Sequence, residues 1–126
     1  MAHQVCRVLI VDDNVAVCDA ITGLLEQEGY AVEMVHQAAH ALIAIGERRF
    51  RLALIDAKLG KESGLDLARE ILERRPGFRM ILMSGSLAVA EWIEEYPELK
   101  RVPVLRKPFG RTALLGCVRQ ALDPAA

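Results

Sequence analysis

Five short apolar runs, each followed by a stretch of helical periodicity or its beginning, constrain this chain more than any other feature. They are Val5 to Val11, "YAVEMV" at 30–35, "LALI" at 52–55, "RMILM" at 79–83 and "VPVL" at 102–105. Between them apolar residues recur at helical spacing. The stripes are Val17, Ile21, Leu24 and Leu25; Ala38, Ala41, Leu42 and Ile45; Leu65, Ala68, Ile71 and Leu72; and finally Leu114, Cys117, Val118, Ala121 and Leu122. Gly29 and Gly46 stand where the first two helices should stop, and Pro76 with Gly77 closes the third. Ser63, three residues before Asp66, suits a capping pair that opens the third helix. A weaker fourth helix is expected from Ala88 to Tyr96, carrying Trp92. The strands are continuous apolar runs, the pattern of a parallel sheet covered on both faces. With right-handed crossovers the expected architecture is α/β, a doubly wound five-stranded parallel sheet.

Composition narrows the functional classes. The chain has 126 residues, the size of one domain, and residues 1–126 are read as a single unit with no output domain. Apolar residues make up 52% and aromatics 5%, so the core should be aliphatic. A net charge of −1, with basic residues scattered except for "ERRFR" at 47–51, argues against direct nucleic-acid binding, which needs clustered Lys and Arg. Cys6, Cys18 and Cys117 form no paired motif and are expected to be reduced core residues, as in the cytoplasm. No secretory signal and no membrane-spanning run is expected. His3, His36 and His40 form no ligand cluster and are expected at the surface. Trp92 suits either a partner anchor or a partial core residue.

Ligands of such sheets bind outside the carboxyl ends of the strands. Asp12 and Asp13 follow the first strand, Asp56 the third, Ser84 the fourth and Lys107 the fifth. Taken singly, each has a plainer role: Asp12, Asp13 or Ser84 as a helix cap, Asp56 as a turn residue, Lys107 as a solvated loop lysine. Their joint placement on four strand ends favours a site. Three neighbouring carboxylates repel one another. Protonation or a hard divalent cation relieves that repulsion, and Mg²⁺ suits an oxygen-lined cup that leaves room for a phosphoryl group.

Four stretches, "VLIVDDN", "LALIDAKLGKESGLDLA", "ILMSGS" and "VLRKPF", carry a resemblance that covers essentially the whole chain. In order and spacing the chain resembles the receiver domain of two-component response regulators. The resemblance implies strand order 2-1-3-4-5 and a phosphoacceptor at Asp56. It implies Mg²⁺ held by Asp12, Asp13, Asp56 and the backbone carbonyl of Lys58, with Asp13 the more direct ligand. Ser84 is the implied hydroxyl that closes on the phosphoryl group, and Lys107 the cation that pairs with its oxygens. The Lys107–Pro108 bond is often cis in that family, as only an X-Pro bond readily is. The implied partners are a sensor histidine kinase or phosphotransfer protein and a downstream protein docking on the last strand and its flanking helices, with no membrane contact. Many receivers have an aromatic residue three positions before the strand-five lysine; here it is Val104, so an aromatic toggle cannot operate there. Gly60 stands where proline is common, and Lys58 and Ser86 occupy positions expected to tune the phosphoryl lifetime.

Other functions fit less well. A haloacid-dehalogenase-type phosphatase needs a second Asp two residues after the nucleophile, where this chain has Lys58. A flavodoxin-like cofactor binder needs a donor-rich loop after strand one, where Asp12 and Asp13 only accept. An interaction module of the same shape that acts independently of phosphorylation is the alternative. No turnover of a separate substrate is expected, so the chain is not read as an enzyme.

Overall fold

The computed structural model describes residues 6–123. The expected strand start at Val5, and His3, lie outside them. The order is β1 (Arg7–Val11), α1 (Val15–Gln27), β2 (Ala31–Val35), α2 (Ala38–Glu47), β3 (Leu52–Asp56), α3 (Gly64–Arg74), β4 (Met80–Ser84), α4 (Val89–Ile93), β5 (Val104–Arg106) and α5 (Arg111–Leu122). The five strands form one parallel sheet in the order β2-β1-β3-β4-β5, the topology expected from the resemblance.

Successive side chains of a strand point to opposite faces, and each face buries its own set. Leu9 and Val11 of β1, Ala53 and Ile55 of β3 and Leu82 of β4 pack with Ala41, Ala44 and Ile45 of α2 and Leu65, Ala68 and Ile71 of α3. Val8 and Ile10, Leu52 and Leu54, and Ile81 and Met83 pack on the other face with Cys18, Ile21 and Leu25 of α1 and Leu114, Leu115 and Val118 of α5. Both faces being covered explains why β1, β3 and β4 read as unbroken apolar runs. Polar side chains of these strands can meet water only at the sheet edges.

Several expected boundaries shift for local reasons. Gly29 lies just past α1 with φ of 89°, a left-handed value that glycine adopts freely. Gly46, expected to end α2, lies inside it; the helix runs to Glu47 and Arg48 caps it. The fourth helix is shorter than the Ala88–Tyr96 span, ending at Ile93 and giving way to a 3₁₀ turn at Pro97–Leu99. Pro97 explains the break, since it disfavours a helical conformation at Tyr96, whose φ and ψ are −126° and 72°. β5 begins at Val104, after Pro103, which has no N–H to donate but whose carbonyl accepts from the Leu82 N–H at 2.9 Å. A two-residue hairpin, Lys58–Leu59 against Glu62–Ser63, was not expected; Gly60 turns it with φ of 59°.

The three cysteines are free, Cys18 buried and Cys6 and Cys117 half-buried against the core. Burial pushes all three thiols up, Cys18 to about 11, so each stays protonated at neutral pH. Among the described residues no helix is long and apolar enough to cross a membrane.

The central strands should be the least tolerant part of the fold. Leu54 is fully buried. Leu54→Ala should lower unfolding free energy by about 2–5 kcal/mol in urea titration, because the sandwich cannot collapse around the lost volume. A loss below about 1 kcal/mol would contradict this packing.

Candidate functional site

The strand ends bring their polar residues together at one edge. β1 delivers Asp12, which is completely buried. Its Oδ1 accepts the Asn14 N–H at 2.9 Å, and its Oδ2 accepts from the Lys107 ammonium at 2.6 Å. Asn14 itself caps α1, its side chain accepting the Val17 N–H at 3.1 Å. The capping role open to Asp12 and Asp13 is therefore filled by the next residue, and neither acid serves as the helix cap. β3 delivers Asp56, whose Oδ1 accepts the Lys58 N–H at 3.1 Å and whose Oδ2 accepts from Lys107 at 3.0 Å. One carboxylate oxygen each from Asp12, Asp13 and Asp56 lies within 4.8 Å of the others.

Lys107 is not a solvated loop lysine. Its backbone N–H donates to the Ser84 carbonyl at 2.8 Å, its peptide bond to Pro108 is cis, and its ammonium bridges two carboxylates. Ser84 ends β4, is buried, and accepts the Ser86 N–H at 3.1 Å. It does not cap α4, which has no side-chain cap; the Ser86 hydroxyl accepts from the Ala88 N–H in the loop before the helix. A cavity of about 350 Å³ opens over these groups, lined among others by Asp13, Asp56, Lys58, Ser84, Trp92 and Lys107. A larger, mainly apolar groove of about 530 Å³, between Phe78, Val102 and Ala121, contains none of these strand-end groups; chemistry rather than size places the site.

Residues 8–119 match the family described as response regulator receiver domain. The chain belongs to that family. The receiver is 32% identical to the transcriptional regulatory protein CutR of Streptomyces coelicolor over 113 residues, which are 90% of this chain and 52% of CutR. It therefore spans about half the length of that relative. Among solved structures it is similar to a CheY-like receiver domain protein from Methanospirillum hungatei, with TM-score 0.85, 32% identity and 96% of each chain covered. It is also similar to the receiver domain of NtrX from Brucella abortus, with TM-score 0.84, 29% identity, and 94% of this chain and 99% of that one covered.

Close backbone packing holds the receiver's Asp56 in place. A Cβ built at Gly64 would lie 1.7 Å from the Asp56 carbonyl oxygen and 2.8 Å from its carbon, so only glycine fits at the start of α3. Ser63 caps this helix, accepting the Asp66 N–H at 3.2 Å as expected. Asp66 is engaged elsewhere: it accepts from the Tyr96 hydroxyl at 2.6 Å, tying α3 to the segment after α4.

The sequence pattern gave no sign of His36. It is half-buried rather than a surface residue, with Nδ1 2.8 Å from the Asp12 carbonyl oxygen; His40 is exposed as expected. Its partner is 24 residues away in sequence, so no local pattern could have shown the contact. Trp92 joins neither buried cluster; it is 36% exposed and sits at the lip of the cavity.

Burial raises the pKa of Asp56, and hydrogen bonds from Lys107 and the Lys58 N–H offset this only in part. For Lys107, burial disfavours the ammonium, but its hydrogen bonds to Asp12 and Asp56 prevail and its pKa is raised. The folded receiver thus holds the Asp56 proton more tightly than the unfolded chain does. The stability contribution of protonated Asp56 is complete below the ordinary carboxylate value and is lost as pH rises through the raised one. At neutral pH the metal-free receiver carries this buried charge at a net cost. Asp56→Asn should therefore raise the melting midpoint by several degrees at pH 7 without Mg²⁺, with the gain shrinking on acidification through the carboxylate range. Calorimetry across pH checks this; a lower midpoint in the variant at pH 7 would count against it.

Proposed function

We propose that this receiver takes a phosphoryl group onto Asp56 from a sensor histidine kinase or phosphotransfer protein and that the phosphorylated form is read by another protein. The observation that carries the reading is the Lys107 ammonium held against both Asp12 and Asp56 at a strand end, beside the buried Ser84. An Asp56 carboxylate oxygen attacks phosphorus, the bond from phosphorus to the donor nitrogen breaks with its electron pair, and an acyl phosphate forms. Small-molecule phosphodonors with a good oxygen leaving group serve the same step.

The residues present fit a divalent cation. Three carboxylates and one ammonium leave a formal charge of −2, and the donors are all hard oxygens. Asp12, Asp13, Asp56 and the Lys58 backbone carbonyl are the proposed ligands of Mg²⁺. When bound, Mg²⁺ neutralises charge that develops on the phosphoryl oxygens. The protein's own groups do the rest. Lys107, anchored on Asp12, exchanges its hydrogen bond to Asp56 for one to the phosphoryl group. Ser84 turns from the Ser84–Ser86 turn to donate to a phosphoryl oxygen. That rotation draws the segment after β4 inward, and the new charge of roughly −1.5 to −2 drives it.

The proposed reading surface is the face of β5 with its flanking helices α4 and α5, and the direct partner is a protein rather than nucleic acid or a membrane. Turnover is limited to the receiver's own phosphoryl group, and exchange with a histidine kinase places the chain in the cytoplasm. Lys58 and Ser86, at the mouth of the cavity, set the lifetime of the acyl phosphate. One observation favours a second reading, partner binding independent of phosphate. Val104, half-buried and paired with Leu82, offers no aromatic ring to reorient.

Acetyl phosphate with Mg²⁺ should add about 80 Da to the intact protein, one phosphoryl group. Omitting Mg²⁺ or substituting Asp56→Asn should abolish the addition. Labelling of the variant at the wild-type rate rejects Asp56 as acceptor, and no labelling of the wild type supports the second reading. A phosphoryl analogue should also shift the amide resonances of Ser84 and Gly85 more than those around Val104. Equally large shifts at both places mean that β5 responds without the aromatic.

A further inference from the structure

The peptide unit joining Asp12 to Asp13 is held from behind by two side chains outside the four motifs that mark this chain as a receiver. His36 Nδ1 lies 2.8 Å from the Asp12 carbonyl oxygen, and Cys18 Sγ lies 3.4 Å from the same atom. A carbonyl oxygen only accepts, so the His36 proton is on Nδ1. The Cys18 thiol donates to the same oxygen. The two donor atoms are 3.8 Å apart, and both lie within hydrogen-bond reach of the shared oxygen. Its two lone pairs are thereby filled. The Asp12 N–H donates to the Val35 carbonyl at 3.2 Å, so the residue preceding His36 grips the other side of Asp12.

Asp12 is fixed through its side chain as well, by Asn14 and Lys107. Asp13 is different. It is exposed, and among the described residues no hydrogen bond or ion pair holds its carboxylate. Its place within 4.8 Å of the other two acids is set by the backbone that carries it, and that backbone starts at the Asp12–Asp13 peptide.

We infer that His36 is a positioning residue: its Nδ1–H, together with the Cys18 thiol, orients the Asp12–Asp13 peptide so that the Asp13 carboxylate faces Asp12 and Asp56. The inference rests on the proposed role of these acids in holding a divalent cation. Groups that orient metal ligands typically contribute 10–100-fold to metal affinity when removed, and His36 acts here on a ligand's backbone rather than on its side chain.

The experiment compares wild type, His36→Phe and His36→Asn. Phe keeps the bulk and removes the donor; Asn restores an N–H near the place of Nδ1. Mg²⁺ affinity is measured by calorimetric titration, and amide hydrogen exchange at Asp13 and Asn14 is measured in metal-free protein. His36→Phe should raise the Mg²⁺ dissociation constant about tenfold and speed exchange at Asp13 and Asn14 at least fivefold, with little change in melting midpoint. His36→Asn should recover most of both. Unchanged affinity and exchange in His36→Phe overturn the inference. So does a loss that only tracks a fall in melting midpoint, or one that Asn does not recover. If the wild type binds no Mg²⁺, the metal reading fails by itself. The positioning role is then decided by the metal-free exchange, where equal rates in wild type and His36→Phe reject it.

Discussion

The ammonium of Lys107 is the interaction on which this site depends. It lies 2.6 Å from the Asp12 carboxylate and 3.0 Å from that of Asp56, two acids that the fold buries almost entirely. Buried carboxylates side by side would be unfavourable in the ionised state without a partner that is itself desolvated. Lys107 is supplied by the end of β5, at the far side of the sheet from β1, and its backbone is tied to Ser84 at the end of β4. One hydrogen-bonded chain therefore links the ends of β1, β3, β4 and β5. Any event that alters the charge of Asp56 is felt by Lys107, and through Lys107 by the segment that carries Ser84.

The sheet makes that chain possible. Because α1 and α5 cover one face and α2 and α3 the other, the central strands have no wet face on which to place a charge. Acids at their carboxyl ends are held at the rim, with buried backbone behind them and solvent in front. Asp56 shows how tight this support is. The start of α3 approaches so closely that the Asp56 carbonyl and Gly64 leave no room for a side chain between them. The helix that caps itself with Ser63 thus also fixes the strand end that presents Asp56.

This architecture explains what could be read from the residues alone. A parallel strand buried on both faces has a continuous apolar signature, so β1, β3 and β4 were plain in the sequence, and their ends named Asp12, Asp13, Asp56 and Ser84. Local chemistry was legible too, such as Gly29 past α1 and the Ser63 cap. What escaped were contacts without a local pattern. His36 meets Asp12 only because β2 lies beside β1. Gly46 looked like a terminator, but it lies one residue before the end of the helix at Glu47, beside the buried Ile45. The fourth helix was expected from Ala88 to Tyr96, but it ends at Ile93, and Ile93 and Tyr96 lie on either side of the break. Both residues pack against the core across that break.

The shortness of α4 bears on how a signal leaves the site. A helix of five residues, with no side-chain cap at its start, is held mainly by Val89 and by the turn at Tyr96. Its far end is secured by the Tyr96 hydroxyl on Asp66 and by Arg69, whose guanidinium carbon stands 4.9 Å from the centre of the Tyr96 ring. Its near end is the loop from Ser84 through Ala88, closed by turns at two serines. The two ends of α4 are thus held differently, by hydrogen bonds within the loop at the near end and by side-chain contacts to α3 at the far one. With valine at position 104 there is no ring in β5 to move in step. Leu87 is exposed just before α4 and Trp92 on it, so the proposed reading surface includes this short helix.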